Sequence, residues 1–125
     1  MKLTPMLSVR NGKAALAFYA AAFGATAIIH AEDDDGRVVA ELQAGDAQFW
    51  LADESPDNGN FAPPSLGGST TRMILTVGDP DAVHAQAVAA GATSVWPVGE
   101  GYGWRLGRVV DPFGHHWEIG RPLKD

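Results

Sequence analysis

The spacing of apolar and polar positions changes period several times along the chain, and each change predicts an element. Residues 3–9 read as a short strand, with Pro5 suited to an edge or a strand start. Leu16, Tyr19, Ala20 and Phe23 then recur at helical spacing behind Asn11, a capping residue, and Gly24 closes the helix. Residues 25–30 predict a second strand, 32–36 a charged turn, 37–43 a third strand, Gly45-Asp46 a hairpin turn and 47–52 a fourth strand. Residues 55–70 are rich in turn formers and read as a linker. The pattern then restarts with a strand over 71–77 and a helix over 80–90, capped by Asp79, with Pro80 in its first turn and Gly91 at its end. A strand around 93–96, a glycine-rich loop over 99–107 and a final hairpin follow. In that hairpin Asp111-Pro112-Phe113-Gly114 turns the chain between Val109-Val110 and a strand through Ile119.

The two halves superpose as sequence. Met6 to Val9 matches Ile74 to Val77, and Phe49-Trp50-Leu51 matches Trp117-Glu118-Ile119, both at a shift of 68 positions. Gly24-Ala25-Thr26 matches Gly91-Ala92-Thr93 at a shift of 67. Three matches in chain order at nearly one shift imply a duplicated module. Neither half has enough strands and helix to bury a core alone. The expected fold is therefore α+β: two pseudo-symmetric βαβββ modules, residues 1–54 and 71–125, pairing their sheets around a shared cavity.

Strand alternation then assigns faces. Met73, Leu75 and Val77, like Leu7 and Val9, form the all-apolar set and should pack under the helices. Phe49, Leu51, Trp117 and Ile119 join them, which turns Trp50 and Glu118 toward the hollow. Four positions converge there by pseudo-symmetry: Thr4 with Arg72, and Trp50 with Glu118. Met6, Ile74, Trp96, Tyr102 and Trp104 complete the expected lining, a mostly aromatic concavity with two charged groups.

Composition adds exclusions. A formal net charge of −6 over 125 residues, with the four arginines from Arg72 to Arg121 spread out, argues against a nucleic-acid partner. No apolar run approaches the roughly 20 residues of a membrane span. With no cysteine there is no disulfide, thiolate metal site or cysteine nucleophile, and the cytoplasm is the expected compartment. His30 and His84 have no partner at a recognisable spacing and should be surface residues. His115 and His116 face opposite ways if they lie on a strand, so they make no ligand pair. The acidic run 32–35 lacks the spacing of a calcium loop and suits a solvated hairpin tip.

Several segments together resemble the vicinal oxygen chelate superfamily, and within it the PhnB-like, glyoxalase/bleomycin-resistance-like group. They are Ala17-Phe18-Tyr19 through Ala22-Phe23-Gly24-Ala25, Ala40-Glu41-Leu42, Ala89-Ala90-Gly91-Ala92, Tyr102-Gly103-Trp104-Arg105 and Asp111-Pro112-Phe113-Gly114-His115. The resemblance covers nearly the whole chain and implies a homodimer. It also implies that metal-using members take one ligand from the first and one from the last strand of each module. Here those positions hold Thr4, Trp50, Arg72 and Glu118, of which only Glu118 is a competent ligand for an oxophilic cation. No metal and no cofactor are expected, nor glyoxalase I or dioxygenase chemistry through a metal. Arg72 and Glu118 should instead pair across the cavity floor, with removal of either costing on the order of 3–5 kcal/mol if both are well buried.

Two functional expectations follow. The first is a metal-free protein that sequesters a small molecule, aromatic or cationic, in the pocket lined by the nine residues named above. The second is an enzyme using Glu118 as general base, with Arg72 holding an anionic oxygen.

Overall fold

The computed structural model describes residues 1–124. The first module comprises β1 (Met6–Val9), α1 (Gly12–Phe23), β2 (Thr26–Glu32), β3 (Val38–Ala44) and β4 (Ala47–Asp53). A 3-10 turn (Pro56–Asn58) and α2 (Pro63–Leu66) connect it to the second module. That module comprises β5 (Arg72–Thr76), α3 (Pro80–Ala90), β6 (Thr93–Gly101), β7 (Trp104–Val110) and β8 (His116–Pro122). The sheets have the same topology, β1-β4-β3-β2 and β5-β8-β7-β6, with the first pair in each parallel and the others antiparallel. The repeat in sequence is thus a repeat in topology, and the α+β fold of two paired modules is the one expected.

The helix ends follow local chemistry. Asn11 accepts a hydrogen bond from the Ala14 amide at 3.1 Å, and Asp79 does the same for Ala82 at 3.1 Å. Gly24 closes α1 in the left-handed region, φ 68, where its amide reaches back to the Ala20 carbonyl. At the other end of α1, Asp53 accepts from the amides of Gly12 and Val38, tying the helix start to two strands. A Cβ on Gly12 would lie 2.6 Å from that carboxylate, so the approach requires glycine.

One core serves both sheets. Helix α1 lies on β3 and β4, α3 lies on β6, β7 and β8, and the two helices pack on each other. Leu7, Val9, Leu42 and Leu51 of the first sheet and Val109, Trp117 and Ile119 of the second are buried beneath them. Phe49 and Trp117, from different sheets, meet with ring centroids 5.3 Å apart.

The polar centre of this core is Asp111. Its buried carboxylate accepts from the Tyr19 hydroxyl and from the Trp117 indole N–H at 2.9 Å through one oxygen. Through the other it accepts from the amides of Phe113 and His115, both at 2.9 Å. The same side chain therefore shapes the β7–β8 turn and fastens it to α1 of the other module. His115 reinforces the joint, its Nε2 lying 2.8 Å from the Ser8 carbonyl. That residue has a structural role in the junction.

Four sequence expectations need correction. Strand β1 begins at Met6, so Thr4 precedes it, although the Pro5 carbonyl still accepts from Trp50. The glycine-rich stretch is no loop: β6 and β7 form one long hairpin turning at Tyr102 and Gly103, both at positive φ (53 and 80). Glycines at 99, 101 and 107 each delete one side chain from the alternation and so hid the strands. The linker is partly structured, with Ala62 and Pro63 buried and Pro63 against Gly114 of the β7–β8 turn. Finally, His84 is buried, not on the surface, within 3.3 Å of the Ser94 hydroxyl.

Burial, and then the Asp111 carboxylate, push the Tyr19 hydroxyl well above its ordinary value of 10.0. The neutral phenol's contribution is fully present below that ordinary value and is lost as pH rises through the higher folded value. Tyr19→Phe is expected to lower stability near neutrality by about 1–2 kcal/mol. It should also flatten the alkaline limb above about pH 10, as read by urea unfolding across pH. Asp111→Ala, which strands four donors, should cost on the order of 3–5 kcal/mol in the same assay.

Candidate functional site

Each sheet has helix on one face only. The register assigns the other face residue by residue. On the second sheet it carries Arg72, Ile74 and Thr76 of β5, His116 and Glu118 of β8, Trp104, Leu106, Arg108 and Val110 of β7, and Trp96 of β6. On the first sheet it carries Met6 and Ser8 of β1, Trp50 of β4, and Val39, Glu41 and Gln43 of β3. Pairing along β1–β4 and β5–β8 therefore puts Met6 beside Trp50 and Ile74 beside Glu118, equivalent rungs of the two modules.

The charged centre lies on the second face. Glu118 is buried and accepts from Nε of Arg72 at 2.7 Å and from a terminal amino group of Arg108, both through Oε2. Arg108 also lies over the Trp96 ring, its guanidinium carbon 5.5 Å from the centroid. The expected Arg72–Glu118 pair is present, but it is one arm of a triad. Arg108 went unnoticed in the sequence because it lies ten residues from Glu118, immediately after a stretch read as loop; strand pairing puts it directly opposite. The arginines that look scattered along the chain are in part gathered.

Exposure changes the energetics expected of the pair. Glu118 is 9% exposed, but the Arg72 side chain is 56% exposed and that of Arg108 24%. The condition for a loss of 3–5 kcal/mol, burial of both partners, fails for Arg72, whose contact with Glu118 is largely screened by solvent. Arg108 is the partner that matters more.

The other sequence-predicted residues divide between the faces. Thr4, Met6 and Trp50 belong to the first module, while Ile74, Trp96 and Trp104 share the second face with the triad. Tyr102 stands fully exposed at the tip of the β6–β7 hairpin, apart from both. Three clefts of about 350 to 470 Å³ open elsewhere on the chain, and none of the nine residues lines any of them. The two faces are open in the single chain, with Met6, Ile29, Val39 and Ile74 exposed on them.

Glu41 is the second residue that sequence reasoning passed over, although it lies in the quoted Ala40-Glu41-Leu42 segment. It is a charged side chain in the middle of the first open face and is 9% exposed. Among the described residues its carboxylate has no side-chain hydrogen bond or ion pair. It pairs in register with Trp50, as Arg108 pairs with Glu118, so Glu41 and Arg108 occupy equivalent places in the duplicated module.

The four positions at which metal-using relatives are expected to hold a cation do not fit one. Thr4 and Trp50 offer no anionic donor, Arg72 is a fixed cation, and the carboxylate of Glu118 is held by two guanidiniums. Among the described residues no group of three or more His, Asp and Glu side chains is placed to bind a metal. No helix is long and apolar enough to cross a membrane.

Comparison with known proteins agrees with this architecture. Residues 4–119 match the family model of the Glyoxalase/Bleomycin resistance protein/Dioxygenase superfamily, and the chain belongs to that family. An uncharacterised protein of Mycobacterium bovis is 37% identical over 128 residues, covering 98% of this chain and 84% of the relative. A solved gene product of Arabidopsis thaliana is 29% identical with a TM-score of 0.74, covering 97% of this chain and 98% of its own. FosX, the genomically encoded fosfomycin resistance protein of Listeria monocytogenes, shares the fold at 12% identity and a TM-score of 0.75, covering 98% and 93%.

The triad makes an asymmetric expectation. Arg108→Ala should destabilise by about 2 kcal/mol, because it leaves a buried carboxylate with one solvent-screened partner. Arg72→Ala should cost under about 1 kcal/mol. A double-mutant cycle with Glu118→Gln, followed by urea unfolding, separates the two couplings.

Proposed function

We propose that the protein is a metal-free, small-molecule binding member of its superfamily, and that its cavity is completed when two copies of the chain pair. The observation that carries this reading is the pair of helix-free faces. Each presents exposed apolar side chains together with tryptophan, and each carries charge: the nearly buried Glu41 on the first and the half-exposed Arg72 on the second. Bringing the first face of one copy beside the second face of the other would enclose both. Charge supports that combination: the first face contributes an unpaired carboxylate, Glu41, and the second an excess of guanidinium. The outer edges of β1 and β5 have no strand partner within the chain and are the natural line of contact.

Binding is favoured over acid–base catalysis because Glu118 and Arg72 hold each other. The carboxylate that a general-base mechanism would set against a substrate is instead held by two guanidiniums. The superfamily's bleomycin resistance proteins and FosX, named for fosfomycin resistance, place drug-directed members among the relatives without fixing the ligand here.

Sedimentation should give a particle of twice the 13.2 kDa chain mass. Ile74→Glu, which sets a second carboxylate beside Glu118 on an exposed rung, should shift it to monomer while leaving the circular dichroism unchanged. A panel of aromatic and glycopeptide-type compounds should quench tryptophan fluorescence saturably in the dimer and weakly in that variant. A stable monomer that binds compounds equally well would count against the shared cavity.

A further inference from the structure

The charge arithmetic of the second face has a sign. Two guanidiniums, which stay protonated at any ordinary pH, converge on one carboxylate oxygen. The group therefore carries an excess positive charge, on a protein whose overall charge is −6. Arg72 spends only Nε on Glu118. Its two terminal amino groups have no protein partner among the described residues, and the side chain is 56% exposed on the open face. A guanidinium presenting both terminal nitrogens is a fork that matches the two oxygens of a carboxylate, phosphate or phosphonate. Glu118 fixes the fork's base, so little side-chain freedom is lost when its other side is occupied. On the same face lie apolar and aromatic surfaces: Ile74 beside Glu118, and Trp96 with Arg108 laid over its ring.

The geometry points to an oxyanion-binding subsite at Arg72, braced by Glu118 and Arg108, that selects ligands joining an anionic head to a flat apolar body. This assignment rests on the small-molecule reading above and refines it: the ligand is anionic, where composition alone suggested aromatic or cationic compounds. Glu118 is here a positioning residue, holding both arginines in place, and Arg72 is the contact.

Three probes with one ring system isolate the charge: 2-naphthoate, 2-naphthylmethanol and 2-naphthylmethylammonium, titrated into the full-length protein by calorimetry. The naphthoate should bind at least about tenfold more tightly than either of the others, with the advantage shrinking as salt is added. Arg72→Gln, at a half-exposed position where folding is not at risk, should remove most of that advantage while leaving the weaker affinity for the alcohol in place. Arg72→Lys should restore part of it as a point charge. If the alcohol or the ammonium binds as tightly as the naphthoate, or if the preference survives Arg72→Gln, the oxyanion subsite is wrong and the small-molecule reading stands. If none of the three binds, in the dimer or the monomer, the small-molecule reading fails and takes the subsite with it.

Discussion

The buried carboxylate of Asp111 is the interaction on which the two modules depend. A charge so deeply placed is tolerated only when fully hydrogen-bonded, and Asp111 has four donors. Two come from its own turn, one from β8 and one from α1 of the other module. The turn, the helix contact and the aromatic core around Tyr19, Phe49 and Trp117 are therefore one cooperative unit. With α1 fastened to the second module in this way and packed on α3, each sheet uses one face for the helices and leaves the other open. The open faces that carry the candidate site are a consequence of where the polar core was put.

The duplication was legible because it left marks of three kinds at nearly one shift: strand alternation, helix-ending glycine and the last-strand triplet. These depend on local backbone geometry, which sequence records directly. The inward direction of Glu118 followed from strand alternation alone. What stayed hidden depended on pairing across the sheet. Arg108 acquires its meaning only opposite Glu118, in a strand whose alternation glycines had blanked out. Glu41 acquires its meaning only as the equivalent of Arg108. His84 looked like a surface residue because its partner, Ser94, lies on a strand reached after the helix has ended and turned.

The site illustrates how function in a fold is set by the side chains it carries. At three of the four positions where the resemblance implies metal donors this chain has threonine, tryptophan and arginine, and the two from each module lie with their own sheet. The fourth, Glu118, then serves as a brace for guanidinium groups. Function in such a scaffold is decided by side chains at a few rungs while the backbone stays nearly constant, as the match to FosX at 12% identity and a TM-score of 0.75 illustrates.

The opposite charges of Glu41 and Arg108 bear on recognition between modules. Modules descended from one unit retain similar shapes, so shape alone discriminates poorly between like and unlike pairings. Two first modules brought together would set Glu41 against Glu41 in a desolvated space, and two second modules would crowd their arginine clusters. Only the unlike pairing offers compensation, and like-charge juxtaposition in an interface costs several kcal/mol. In the proposed dimer, a difference of charge at one equivalent rung would act as an addressing code, directing each half of the chain toward its opposite.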